Sequence, residues 1–157
     1  MTLVIAIVAQ WGILIPAALV AASILLRRHW KNDVLEAAVA GGATIALVKI
    51  AGALVFEKRP FVVEHLHPLV SHAADNAFPS DHLAACGLAF AYLWPRSRSM
   101  AGVTVIIAAA IASARVLAHL HWPIDVATGF VLGFAAVHGA RGVLALVHAR
   151  EGSERRG

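Results

Sequence analysis

Residues 103–137 read VTVIIAAAIASARVLAHLHWPIDVATGFVLGFAAV, and this stretch decides the fold. Two apolar runs, at about 100–118 and 124–147, flank the turn His121-Trp122-Pro123. Each run is close to the roughly 20 apolar residues that cross a bilayer. Pro123 suits the first position of the second helix, where its missing N–H leaves no bond unmade. Arg115, His121 and Asp125 lie at the same end of this hairpin. Ionisable groups beside a span are costly and usually functional. Further apolar runs lie at about 3–26, 34–56 and 83–94. The chain therefore reads as all-α: a polytopic membrane helix bundle with about five transmembrane helices. It forms a single domain over 1–157, with a short tail at about 148–157. At about 1.5 Å per residue the third run is short for a span, and crosses only if its outer end starts below the membrane surface.

Composition agrees. Of 157 residues, 60% are hydrophobic and 14% charged, and the mean hydropathy is +0.77. A water-soluble domain needs more polar surface. The first run has no basic residue before it and is followed by Arg27, Arg28 and Lys31, so it reads as a retained helix rather than a signal peptide. Cys86 is the only cysteine, which excludes an intrachain disulfide and a thiolate metal site.

The net charge of +4 does not describe a nucleic-acid surface. Arg27, Arg28 and Lys31 occupy the first connection, Arg96 and Arg98 the third, and Arg141, Arg150, Arg155 and Arg156 the end of the last helix or beyond. Five spans put all three clusters on one side, which the positive-inside rule makes cytoplasmic. Trp30 and Trp94 then mark the inner interface and Trp122 the outer one. The expected location is the cell (inner) membrane, multi-pass, with a cytoplasmic C-terminus and a site facing the periplasm or extracellular side. Lys49, Lys58, Arg59 and Arg115 run against the bias, at the outer side. They are the unusual charges of the chain.

Local signals place the remaining parts. Asn32-Asp33 can cap the second helix, and Ser80 or Asp81 the third. Gly41, Gly42 and Gly52, and the pair Gly129 and Gly133, permit close helix packing. Residues 57–79 form one long outer connection rich in His, Asp and Pro, and Pro95 and Ser97 mark a tight inner turn. His65, His67 and His72 have irregular spacing and read as solvated or substrate-proximal rather than as a metal cluster. Three motifs far apart in sequence share one membrane face: Arg59-Pro60, Pro79-Ser80-Asp81-His82, and Arg115 with His121 and Asp125.

These residue types suit phosphoryl transfer, which needs positioning and neutralisation of oxygen charge. Arg59 and Arg115 can grip phosphate oxygens with bidentate forks, and Lys58 or Lys49 can add a point charge. Ser80 supplies a hydroxyl beside the N–H groups that open the third helix. His121 can act as nucleophile while Asp125, four residues on, holds the proton on its other nitrogen. His82 can protonate the leaving oxygen and then deprotonate water. The scheme requires no metal and no cofactor.

The motifs Arg59-Pro60, Phe78-Pro-Ser-Asp-His82 and Ala-Arg115 with His121 and Asp125 resemble the three signatures of the type 2 phosphatidic acid phosphatase superfamily. The likeness covers about residues 49–126. It implies a metal-independent membrane lipid phosphatase with a phosphohistidine intermediate. It makes His121 the nucleophile, Asp125 its partner, His82 the acid–base group, and Arg59, Ser80 and Arg115 the phosphate ligands. Three positions depart from the pattern. Gly52 stands where the family usually has a lysine, leaving Lys49 and Lys58 as substitutes. Asp81 replaces a glycine and reads as a cap or an orienting neighbour, and Ala114 replaces a serine. His119 is a possible further contact. The Pro-Ser-Asp-His variant, with His72-Ala-Ala-Asp75-Asn-Ala-Phe before it, is similar to the bacterial undecaprenyl-diphosphate phosphatase branch. That implies cleavage of undecaprenyl diphosphate to undecaprenyl phosphate, for cell-wall biogenesis.

The alternatives are a phosphatidic acid or phosphatidylglycerol phosphate phosphatase and, in another class, a non-catalytic lipid-binding or transport relative. Haem ligation would need histidines facing each other within the bundle. Here they gather at one face among cations. The expected partners are a lipid-phosphate substrate and the bilayer; the sequence is silent on oligomeric state.

Overall fold

The computed structural model describes residues 2–27 and 30–154. Seven helices follow in order: α1 (Thr2–Trp11), α2 (Leu14–Leu25), α3 (Trp30–Leu54), α4 (Pro60–Val63), α5 (Asp81–Leu93), α6 (Arg98–Leu117) and α7 (Pro123–Glu154). Among the described residues, four segments are long and apolar enough to cross a membrane: Thr2–Leu25, α3, α6 and Pro123–Glu151 of α7. The all-α expectation holds.

Three local expectations are corrected. The first apolar run is not one helix but two, broken at Gly12-Ile13. The second span starts at Trp30, so Asp33 lies inside its first turn instead of capping it. The outer connection also carries a short helix, α4, opened by Pro60. Ser80 stands at the N-cap of α5, but its side chain makes no capping bond.

The short helix α5 is the centre of the bundle. Its 13 residues span only about 20 Å, and Leu83, Cys86, Tyr92 and Leu93 are buried among α2, α3, α6 and α7. Its widest interface is with α7, where glycine lets backbones touch. A methyl group at Gly129 would fall on the Ser80 carbonyl, one at Gly133 on that of Ala84, and one at Gly87 on that of Phe130. The Ser80 N–H then donates to the Asp125 carbonyl at 3.1 Å. Sequence patterning in two helices thus brings the second and third motifs together.

The end away from those motifs is tied by charge. Arg96, in the turn after α5, reaches Asp33 at 2.7 Å and Glu36 at 2.8 Å and stacks over the Tyr92 ring at 3.8 Å. Arg141 of α7 reaches Glu36 at 2.8 Å, and Arg27 reaches Asp33 at 3.1 Å. Topology alone had seemed to account for these arginines. They also join α2, α3, α5 and α7. Arg28, of the same basic connection as Arg27, lies outside the described residues.

Candidate active site

The long connection is folded by its own polar groups. The Asn76 amide donates to the carbonyls of Gly52 and Val55, both at 2.8 Å, closing the end of α3. Its side-chain oxygen accepts from the N–H groups of Glu57 and Phe78 at 2.9 and 3.0 Å. Asn76 stands in the stretch that leads into the second motif, but sequence assigns it no role; its place before the Phe78-Pro79 step is the available hint, since Asn favours turns. At the other end of the loop, Phe61 N–H donates to the His119 carbonyl at 3.0 Å.

Arg59 is buried, and each of its three side-chain nitrogens donates one hydrogen bond to protein. Nε donates to Asp75 Oδ1 at 2.8 Å, Nη1 to the Leu120 carbonyl at 2.9 Å, and Nη2 to the Asn76 carbonyl at 3.2 Å. Burial opposes the charge on Asp75, but the Arg59 hydrogen bond and charge win and hold its pKa low. In this geometry Arg59 is a strut between the loop and the α6–α7 turn, although it also lines the cavity.

The α6–α7 turn depends on His119, whose φ of 58° places it in the left-handed region. Such a residue ends a helix by capturing loose carbonyls, a role usually filled by glycine. Leu120 N–H accordingly returns to the Arg115 carbonyl at 3.1 Å. His119 itself does not line the cavity; its Nδ1 sits 3.2 Å from Glu64.

The turn delivers His121 to Arg115. His121 Nδ1 lies 2.8 Å from the Ala77 carbonyl, and Nε2 lies 2.9 Å from Arg115 Nη2. A carbonyl only accepts and a guanidinium only donates, so the neutral ring carries its proton on Nδ1 and a lone pair on Nε2. Asp125 Oδ2 is 3.7 Å from Nδ1 and is not the closest partner. It accepts from Trp122 N–H at 2.8 Å, the reaching-back half of a capping box on α7. Burial lowers the His121 pKa, the Asp125 contact opposes this, and the charges of Arg115 and Arg59 reinforce it.

Arg115 is 2% exposed. Its Nη1 donates to the Ala9 carbonyl at 2.9 Å, and its Nε is buried without a partner among the described residues. His82 opens toward the same space, with Nε2 3.4 Å from the Gln10 carbonyl. The resulting cavity measures about 360 Å³ and is lined by Lys49, Arg59, His72, Asp75, Asp81, His82, Arg115 and His121. Lys58 is exposed outside it, its carbonyl accepting from Trp122 Nε1 at 3.0 Å. Ser80 and Asp125 lie behind the wall, and Ser80 Oγ and Asp125 Oδ1 are buried without partners among the described residues. Of the histidines read as solvated or substrate-proximal, His72 enters the lining; burial and the Arg59 charge lower its pKa.

The cavity thus sets buried arginines round a nitrogen lone pair, chemistry that suits an anion. Residues 42–147 match the PAP2 superfamily. This chain belongs to the PAP2 superfamily. The matched segment holds every candidate residue from Lys49 to Asp125 and omits α1 and α2. With four helices able to cross a bilayer, this PAP2 superfamily member is a multi-pass membrane protein.

Its curated relatives include "Undecaprenyl-diphosphatase BcrC" of Bacillus subtilis (strain 168), 32% identical over 73% of this chain and 63% of the relative. A second is "Putative undecaprenyl-diphosphatase YbjG" of Escherichia coli (strain K12), 34% identical over 64% of this chain and 51% of the relative. A third is "Bacitracin transport permease protein BcrC" of Bacillus licheniformis, 31% identical over 69% and 55%. This PAP2 superfamily member thus spans less than two thirds of the length of these relatives. Its fold matches the crystal structure of a transmembrane PAP2 type phosphatidylglycerolphosphate phosphatase from Bacillus subtilis. The TM-score is 0.66 at 18% identity, over 93% of this chain and 77% of that one.

Proposed function

We propose that this chain is a metal-independent membrane phosphatase that converts undecaprenyl diphosphate to undecaprenyl phosphate through a phosphohistidine. The observation that carries the reading is the 2.9 Å approach of Arg115 to the His121 Nε2 lone pair, inside a cation-lined cavity. A terminal phosphate entering there meets the nucleophile and its counter-charge together. Nε2 attacks phosphorus, and the bond to the bridging oxygen breaks. That oxygen, now on the lipid monophosphate, takes a proton from His82. Water then attacks the phosphohistidine and gives a proton back to His82, releasing inorganic phosphate and restoring His121. The Ala77 carbonyl and Asp125 stabilise the extra positive charge on the ring.

The lipid part of the reading has separate support. An apolar groove between α3 and α5, lined by Gly41, Ile45, Ala84 and Leu88, shares Val48, Lys49 and Asp81 with the cavity. A headgroup can therefore enter while its chain stays among the helices. Two relatives are named undecaprenyl-diphosphatases. The basic inner-end cluster lies at the other end of the helices, which supports a cavity facing the periplasm or extracellular side. One relative is named a transport permease, so binding without turnover is the competing class. Transport needs no histidine lone pair held against an arginine.

The test is phosphate release from undecaprenyl diphosphate in detergent with excess EDTA, comparing wild type with His121→Ala. Release by wild type alone is expected, fastest on this substrate. Faster release from phosphatidic acid or phosphatidylglycerol phosphate would move the substrate, and no release from any of them would favour the binding class.

A further inference from the structure

The first span breaks beside the cavity, and the break has a local cause. Pro16 has no N–H to return to the Gly12 carbonyl, which accepts from Ile15 at 3.2 Å instead. Gly12 lets the bent segment lie against α6: a Cβ there would sit 2.6 Å from the Val8 carbonyl and 2.8 Å from Ile111 Cγ1. Gly12 N–H bonds Val8, and the next regular bond runs from Ala17 to Ile13 at 3.3 Å. Between them the carbonyls of Ala9 and Gln10 have no main-chain donor among the described residues. An apolar environment leaves a carbonyl no water to turn to, so such groups need protein partners. Both find them in the candidate site, at Arg115 Nη1 and His82 Nε2.

We propose that the Gly12–Pro16 break is a positioning element of the reaction centre, its freed Ala9 and Gln10 carbonyls setting Arg115 and His82 for phosphoryl transfer. This rests on the phosphatase reading and lies outside the segment that matches the superfamily. Ala9 pins Nη1, so the Nε–Nη2 edge of Arg115 is the fork left to face a phosphate, and the unpartnered buried Nε waits on that edge. Gln10 holds the proton of neutral His82 on Nε2. When the ring is charged, the second proton sits on Nδ1, which gives it to the lipid oxygen and, in the neutral ring left behind, takes one from water.

Main-chain acceptors can be weakened without altering a side chain. Incorporating the α-hydroxy acid of glutamine at position 10, or of tryptophan at position 11, makes the Ala9 or Gln10 carbonyl an ester. Either ester is expected to lower kcat about tenfold, the scale of a misplaced catalytic group. The position-11 ester should also shift the pH profile. In ¹⁵N spectra of histidine-labelled protein it should convert His82 from the Nε2–H form to a tautomer mixture. The same chemistry at position 7, whose side chain is exposed, should change none of these. Pro16→Ala, which restores the missing N–H, should raise the unfolding temperature while lowering kcat. Wild-type rates, profile and tautomer in both esters would overturn the proposal, as would an equal loss at position 7. If wild type releases no phosphate, the phosphatase reading fails by itself. The ring spectrum, which needs no substrate, still decides whether Gln10 holds His82.

Discussion

Arg115 and His121 face each other at 2.9 Å with opposite needs: one can only donate, the other presents a lone pair. The contact favours the neutral ring, since a protonated Nε2 would face the guanidinium charge.

Arg115→Ala should lower kcat/KM roughly 10³-fold, in line with loss of a transition-state clamp. Arg115→Lys should recover little of it, because a point charge cannot hold the Ala9 carbonyl and a phosphate as a fork does. Phosphate release from undecaprenyl diphosphate measures both; a wild-type rate in either protein removes the clamp.

The pH profile should follow His121. Attack needs the neutral ring, and its pKa is lowered by burial together with the charges of Arg115 and Arg59. The rate should therefore hold as pH falls past the ordinary imidazole value and drop only below it. Stability has the same sign. The unfolded chain takes up this proton at higher pH than the folded one, so stability present above the ordinary imidazole value declines as pH falls. An acid limb above that value, persisting in His82→Ala, would contradict this.

Arg59 should behave unlike Arg115. Each of its three nitrogens already donates to protein, at Asp75, Leu120 and Asn76, so Arg59→Ala should lower the unfolding midpoint by roughly 5–10 °C as well as the rate. Asp75→Asn should cost less, as Asp75 is largely exposed. The Asp75 contribution is present above the ordinary carboxylate range and is lost as pH falls through its lowered pKa. Thermal scans of the three proteins decide between strut and ligand.

Lys49 should matter more than Lys58. Lys49 lines the cavity and Lys58 lies outside it, so Lys49→Ala should raise KM about tenfold and Lys58→Ala far less. The reverse order would mean that the loop closes over the substrate.

The sequence showed the helical membrane fold because apolar runs need only counting. It also showed the grouping of His82, Arg115, His121 and Asp125, because their spacing follows helix ends. What stayed hidden depended on where main-chain groups turn. The first apolar run is uniformly hydrophobic, so nothing in its patterning marks Gly12 and Pro16 as a break that turns two carbonyls toward the site. The bonds from Arg59 to Asp75 and to two carbonyls stayed hidden too, because sequence lists its donors but not the acceptors beside them. Asp125 read as the direct partner of His121, yet the nearer acceptor is a backbone oxygen at Ala77, which has no side-chain signature.

The glycine contact between α5 and α7 bears on the birth of the protein. His82 rides on one helix, while His121 and Asp125 sit around the start of the other, and the meeting of Gly129 and Gly133 with the Ser80 and Ala84 carbonyls helps set them in register. Helices inserted into a bilayer one by one would carry these side chains as strangers. On the phosphatase reading, a newly made copy is inert until that pair has docked, and ripening of the chain in the membrane is also its switching on.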